Sequence, residues 1–81
     1  MSSILKLSAE WCSSCKLMDP QLARLGLIVS HVDIDVDTSY SKKYGVRSIP
    51  TLIKLSRTGE EVGRLVGSQS DSKLKEFFDG I

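Results

Sequence analysis

Both cysteines of this 81-residue chain fall in one stretch, Trp11-Cys12-Ser13-Ser14-Cys15-Lys16. Two thiols separated by two residues can close a small disulfide ring with each other. If a helix begins at the first, that thiol sits at the positive end of the helix dipole, near unsatisfied backbone N–H groups, and both effects favour thiolate. Cys12 therefore fits a nucleophile. Cys15, one turn further in, would be less exposed and placed to attack a mixed disulfide formed at Cys12. Two other readings of the pair stay open on residues alone, half of a zinc site and an inert pair. A closed zinc site wants four ligands, and beyond the two cysteines the chain offers His31, so a metal would need acidic ligands or a second chain.

The elements that position the pair follow from periodicity. Ile4-Leu5-Lys6-Leu7 suits a mostly buried strand, with Lys6 unusual in its middle. From Cys12, the residues Cys15, Met18, Leu22 and Leu25 recur at three and four, one face of a helix ending at Gly26. Pro20 lies inside it and predicts a kink. Between Leu27 and Asp37, apolar and polar residues alternate, predicting a second strand with Ile28, Val32, Ile34 and Val36 on one face. Strand, helix and strand with short connections imply a right-handed crossover and two parallel strands. Thr38 to Tyr44 is a short helix at most, closed by Gly45. Thr51–Leu55 and Glu61–Val66 form an antiparallel hairpin around Thr58-Gly59. A last helix, capped at Ser70 or Asp71, buries Leu74, Phe77, Phe78 and Ile81.

The chain is read as one small soluble domain, residues 1–81, with 41% hydrophobic and 26% charged residues. A domain of this size buries only about 60–65% of its unfolded surface. A formal charge of +1, from scattered basic residues, gives no electrostatic argument for nucleic acid or an anionic membrane. No charged leader, signal peptide or membrane-length apolar run is seen, so a cytoplasmic protein is expected. In a reducing compartment a close cysteine pair is more often catalytic or metal-binding than a structural staple.

Several motifs together resemble the thioredoxin family. They are Trp11-Cys12-x-x-Cys15-Lys16, Pro20 five residues after the second cysteine, Tyr44-Gly45-Val46-Arg47-Ser48-Ile49-Pro50-Thr51, and Gly59-Glu60 followed by Val66-Gly67. The resemblance covers nearly the whole chain and implies an α/β, minimal thioredoxin fold, β-α-β-(short α)-β-β-α, with a four-stranded mixed sheet in the order 4-3-1-2. The domain begins at the strand before the cysteines, without the first strand and helix of full-length members. It is similar in size to small phage and archaeal thioredoxin- or glutaredoxin-like proteins.

By the same resemblance, the function is reduction of protein disulfides through a dithiol/disulfide cycle, with Cys12 attacking and Cys15 resolving. No bound cofactor is implied. The partners are disulfide-containing proteins and a reductant, either a thioredoxin reductase or glutathione, and the chain is expected to act as a monomer. Pro50 matches the family's cis-proline, leaving the Ile49 backbone free to pair with an extended substrate. Trp11 would flank the thiolate and Gly67 would line the groove. Two alternatives are a glutathione-dependent glutaredoxin-like enzyme and a non-catalytic module bridging a metal or iron–sulfur cluster between chains. Against the former, Trp precedes Cys12 and Val66-Gly67-Ser68 lacks the paired glycines of a glutathione site.

Two departures from the family pattern bear on tuning. Ser13-Ser14 replace the usual Gly-Pro, freeing a backbone N–H and adding hydroxyls near Cys12, which predicts a more oxidising pair than the usual thioredoxin value of about −270 mV. Lys6 stands where the family has a buried aspartate thought to help deprotonate the second cysteine, and His31 aligns with that aspartate's lysine partner. Imidazole titrates near neutrality, so His31 is a candidate proton relay to Cys15. Asp33 is the candidate partner of Lys6. The plainer alternative has Lys6 snorkelling out of a small sheet and His31 as an ordinary surface residue.

Overall fold

A computed structural model describes residues 3–79. The chain runs β1 (Ser3–Ser8), α1 (Ser13–Arg24), β2 (Ser30–Asp33), α2 (Ser39–Lys43), β3 (Thr51–Leu55), β4 (Glu61–Val66) and α3 (Asp71–Asp79). The four strands form one sheet in the order β2-β1-β3-β4, the predicted order written from the other edge. β1 and β2 are parallel, whereas β1–β3 and β3–β4 are antiparallel.

Strand alternation divides the core between two faces of the sheet. Ile4 and Leu52 point to one face, where Met18 and Leu22 of α1 and Leu74 of α3 cover them, with Phe77 and Phe78 packed alongside. Leu5, Leu7, Val32, Ile53 and Leu55 point to the other, covered by Tyr40, Tyr44 and Val46 from α2 and the segment after it. Burial of Cys15, Met18 and Leu22 matches the stripe expected of α1. The helix continues through Pro20 and stops at Gly26, whose φ of +70° no β-carbon favours. There the Leu27 N–H reaches the Leu22 carbonyl at 2.9 Å and the Gly26 N–H that of Ala23 at 3.1 Å, satisfying two end carbonyls. Ser70 caps α3, its Oγ accepting from the Lys73 N–H at 3.3 Å. Ile81, the expected end of that stripe, lies outside the described residues.

The second strand is much shorter than the alternation predicts. β2 covers only Ser30–Asp33, and Ile28 and Val36 are 88% and 84% exposed rather than facing the core with Val32. Asp33 ends the strand. Its carboxylate accepts the Asp35 N–H at 2.9 Å, and its carbonyl accepts the amides of Val36 and Asp37 at 3.1 and 2.8 Å. An aspartate that captures the amide two residues on curls the chain into a turn, which the polar–apolar period alone does not reveal.

Candidate redox site

The site lies at one end of the sheet. The register pairs Leu7 with Thr51, Thr51 with Val66, and Ser8 with Asp33. The end of β1 that leads to Cys12, the Pro50 that precedes β3, the Gly67 that follows β4 and the turn after β2 therefore share that end.

Cys12 and Cys15 are joined as a disulfide, with their Cα atoms 5.3 Å apart. Cys12 is the N-cap of α1, in extended conformation (φ −89°, ψ 107°), and its Sγ takes the part that a serine or aspartate oxygen takes in most caps. The Cys15 N–H donates to it at 3.2 Å, and Ser14 Oγ lies 3.8 Å from it. Ser13 is exposed to solvent. The two sulfurs are thus unequal: Cys12 accepts at the helix terminus, while Cys15 belongs to the first turn and is 2% exposed.

Around the pair, Trp11 is 68% exposed and its Nε1 donates to Asp35 Oδ2 at 2.9 Å. The Ile49–Pro50 bond is cis and Pro50 is buried. The Pro50 carbonyl accepts the N–H of Gly67 at 2.8 Å, and Gly67 holds φ +82°. Thr51 Oγ1 donates to the Ser48 carbonyl at 2.6 Å, which ties down the loop before Pro50. Val66, beside Gly67, is exposed, so apolar surface flanks the disulfide end of the sheet.

Beneath the pair, two expectations about Lys6 are corrected. It does not snorkel out, being 1% exposed, and its partner is not Asp33. Its Nζ donates to the Cys15 carbonyl at 2.9 Å and to Asp19 Oδ1. Alternation in β1 aims Lys6 at α1, and Asp19 lies four residues beyond Cys15 on the same helix face, so Asp19 meets the ammonium first. The i, i+4 spacing places Asp19 on the face of Cys15 but does not by itself single it out as the partner of Lys6. His31 is exposed and register-paired with Lys6, and it lines the same pocket as Cys15. Asp35 was readable only as one of several alternating acids, because its role depends on the turn that Asp33 makes.

Among the described residues no helix is long and apolar enough to cross a membrane. The thioredoxin family profile matches residues 1–80. The chain is 38% identical over 77 residues to a thioredoxin of Buchnera aphidicola subsp. Baizongia pistaciae, covering 88% of this chain and 70% of that protein. It is 38% identical over 76 residues to a thioredoxin of Chlamydia caviae, covering 88% of this chain and 74% of the relative. Among solved structures, a variant thioredoxin from Halobacterium salinarum NRC-1 superposes with a TM-score of 0.85 at 29% identity, covering 98% of this chain and 73% of that one. With the disulfide in its Cys-x-x-Cys motif and the sheet order in place, the chain belongs to the thioredoxin family and is a thiol–disulfide oxidoreductase.

Proposed function

We propose that Cys12 is the attacking thiol and Cys15 the resolving one in the reduction of protein disulfides. The observation that carries this assignment is the cap: the Cys12 sulfur accepts the Cys15 N–H at a helix N-terminus, where negative charge is favoured. In the reduced protein the Cys12 thiolate attacks one sulfur of a substrate disulfide. A mixed disulfide forms and the substrate's first thiol leaves, taking up a proton. Cys15, deprotonated, then attacks Sγ of Cys12, closing the intramolecular disulfide and releasing the second substrate thiol. The net transfer is two electrons and two protons to the substrate.

The docking surface in this reading is Trp11, the Ile49 backbone, Pro50 and Gly67. An extended substrate segment pairs with the backbone before Pro50, as a strand pairs with a sheet edge, and its flanking apolar side chains rest on Trp11. A thioredoxin reductase returns the dithiol, with glutathione as the competing source of electrons. In this reading the protein works in the cytoplasm as a monomer.

Cysteine variants test the assignment. Cys15→Ser accumulates a mixed disulfide with a model protein substrate through Cys12, and Cys12→Ser accumulates none. The opposite pattern overturns the order of attack. Reduction of the same substrate supported by glutathione and its reductase, but not by a thioredoxin reductase, overturns the proposed electron source.

A further inference from the structure

A lysine in the middle of a central strand is costly to bury unless its ammonium is fully partnered. Lys6 meets that condition in a particular way. One hydrogen bond goes to the carbonyl of Cys15 itself, and the other goes to Asp19, whose side chain is half exposed. The pair runs outward from the backbone of the buried cysteine to the solvent, with the cation inside and the anion outside.

The pocket behind Cys15, of about 280 Å³, collects every charged group that faces it. These are Lys6 on β1, Glu10 before α1, Lys16 and Asp19 on α1, and His31 and Asp33 on β2. With His31 neutral, three carboxylates stand against two ammoniums, so a simple count favours the anions. Burial reverses the ranking. Glu10, Lys16 and Asp19 are exposed and Asp33 is half-buried, so water and salt screen them, whereas Lys6 is enclosed and hydrogen-bonded to the carbonyl of Cys15 itself.

We propose that Lys6, held in place by Asp19, is a positioning residue for the resolving step: its fixed ammonium stabilises the thiolate that Cys15 becomes before it attacks Cys12. The proposal rests on the reading of Cys15 as the resolving thiol. The Cys15 S–H proton leaves to water in the pocket. The thiolate's electron pair forms the S–S bond to Cys12 as the bond from Cys12 to substrate breaks, and the departing substrate sulfur takes up a proton. Lys6 keeps its own protons throughout.

The experiment follows the resolving step by rapid mixing, as release of a chromogenic thiol from its mixed disulfide with Cys12 across a range of pH. Attack of Cys12 on the parent chromogenic disulfide, which forms that mixed disulfide and releases the first equivalent of thiol, serves as the internal reference. Lys6→Met moves the midpoint of the resolving step up by about one pH unit. Near neutrality it slows that step about threefold, because tenfold less thiolate is partly offset by the greater nucleophilicity of the more basic sulfur. Asp19→Asn keeps an acceptor for Lys6 while removing the opposing charge, and it moves the midpoint down.

Unchanged profiles overturn the proposal, as do profiles that move the same way in both variants, since a structural disturbance has no reason to change sign with the charge removed. If Lys6→Met does not fold, Asp19→Asn at its half-exposed position decides alone, and an upward or absent shift overturns the idea. A Cys15→Ser variant that releases the thiol as fast as the parent overturns the underlying reading of Cys15 instead, so the two failures are distinguishable.

Discussion

The indole N–H of Trp11 is bonded to the carboxylate of Asp35 at 2.9 Å, which joins the residue before Cys12 to the turn after β2. Trp11 would otherwise be an exposed aromatic ring free to rotate over the proposed docking surface. Exposed hydrogen bonds contribute about 1 kcal/mol, which corresponds to roughly a fivefold change in rate if all of it is expressed in the transition state. Asp35→Ala is therefore expected to lower kcat/KM for a protein disulfide by up to about fivefold, and the melting temperature by at most about 4–8 °C. The chain has a single tryptophan, so its fluorescence anisotropy reports the ring directly. Unchanged anisotropy in the variant would show that Asp35 does not hold it.

Ser14 is expected to tune the Cys12 sulfur modestly. Its hydroxyl lies 3.8 Å from Sγ, a long contact beside the shorter bond from the Cys15 amide, so it can contribute only a fraction of a normal hydrogen bond. Ser14→Ala should make the Cys12 thiol less acidic and the disulfide more reducing by about 10 mV, the shift that about half a kcal/mol produces in a two-electron couple. Equilibration against glutathione measures it. A potential that moves in the oxidising direction contradicts the assignment.

What could be read from residues alone was whatever depends on local period and spacing. The start of α1 at the cysteines, its stripe of Cys15, Met18 and Leu22, and the β3–β4 hairpin are all local patterns, and each forms as expected. The extent of β2 was not legible, because Asp33 ends it through its own side chain and the alternation runs on past that point. The partner of Lys6 was not legible either. Asp33 and Asp19 were both in the chain, and the choice between them depends on α1 crossing over β1, a relation between elements far apart in sequence.

Asp71 gives the fold a pH dependence that can be measured. Its carboxyl is held below the usual range, first by the Gln21 side chain, whose Nε2 donates at 2.8 Å, and then by Arg24 at 3.0 Å. The native protein therefore keeps Asp71 ionised where the unfolded chain already binds a proton. Its contribution is complete above the unfolded value of about 3.9 and is lost as pH falls through the lower folded value. These bonds tie the start of α3 to α1. Asp71→Asn should lower the denaturant midpoint at neutral pH, with the difference from wild type closing in strong acid and shrinking in high salt. A difference that persists unchanged into acid would assign the effect to something other than this charge.

Gly67 and Gly59 form a matched pair for testing the substrate groove. Their φ values are +82° and +87°, and a β-carbon built on either meets no heavy atom within 4 Å. Alanine at each position therefore carries the same left-handed backbone cost, about 1–2 kcal/mol, without a clash. The two positions differ in place. Gly67 is bonded to the Pro50 carbonyl at the end of the sheet that holds the disulfide, whereas Gly59 lies in the β3–β4 turn at the opposite end. A methyl group at Gly67 projects into the open space where the proposed substrate strand lies, and a methyl group at Gly59 projects into solvent. Both variants should lose similar stability in denaturant. Gly67→Ala alone should raise KM several-fold for a protein disulfide while leaving reaction with a small chromogenic disulfide near that of wild type, because a small disulfide reaches Cys12 without occupying the groove. Equal KM values in the two alanine variants would place the substrate strand elsewhere.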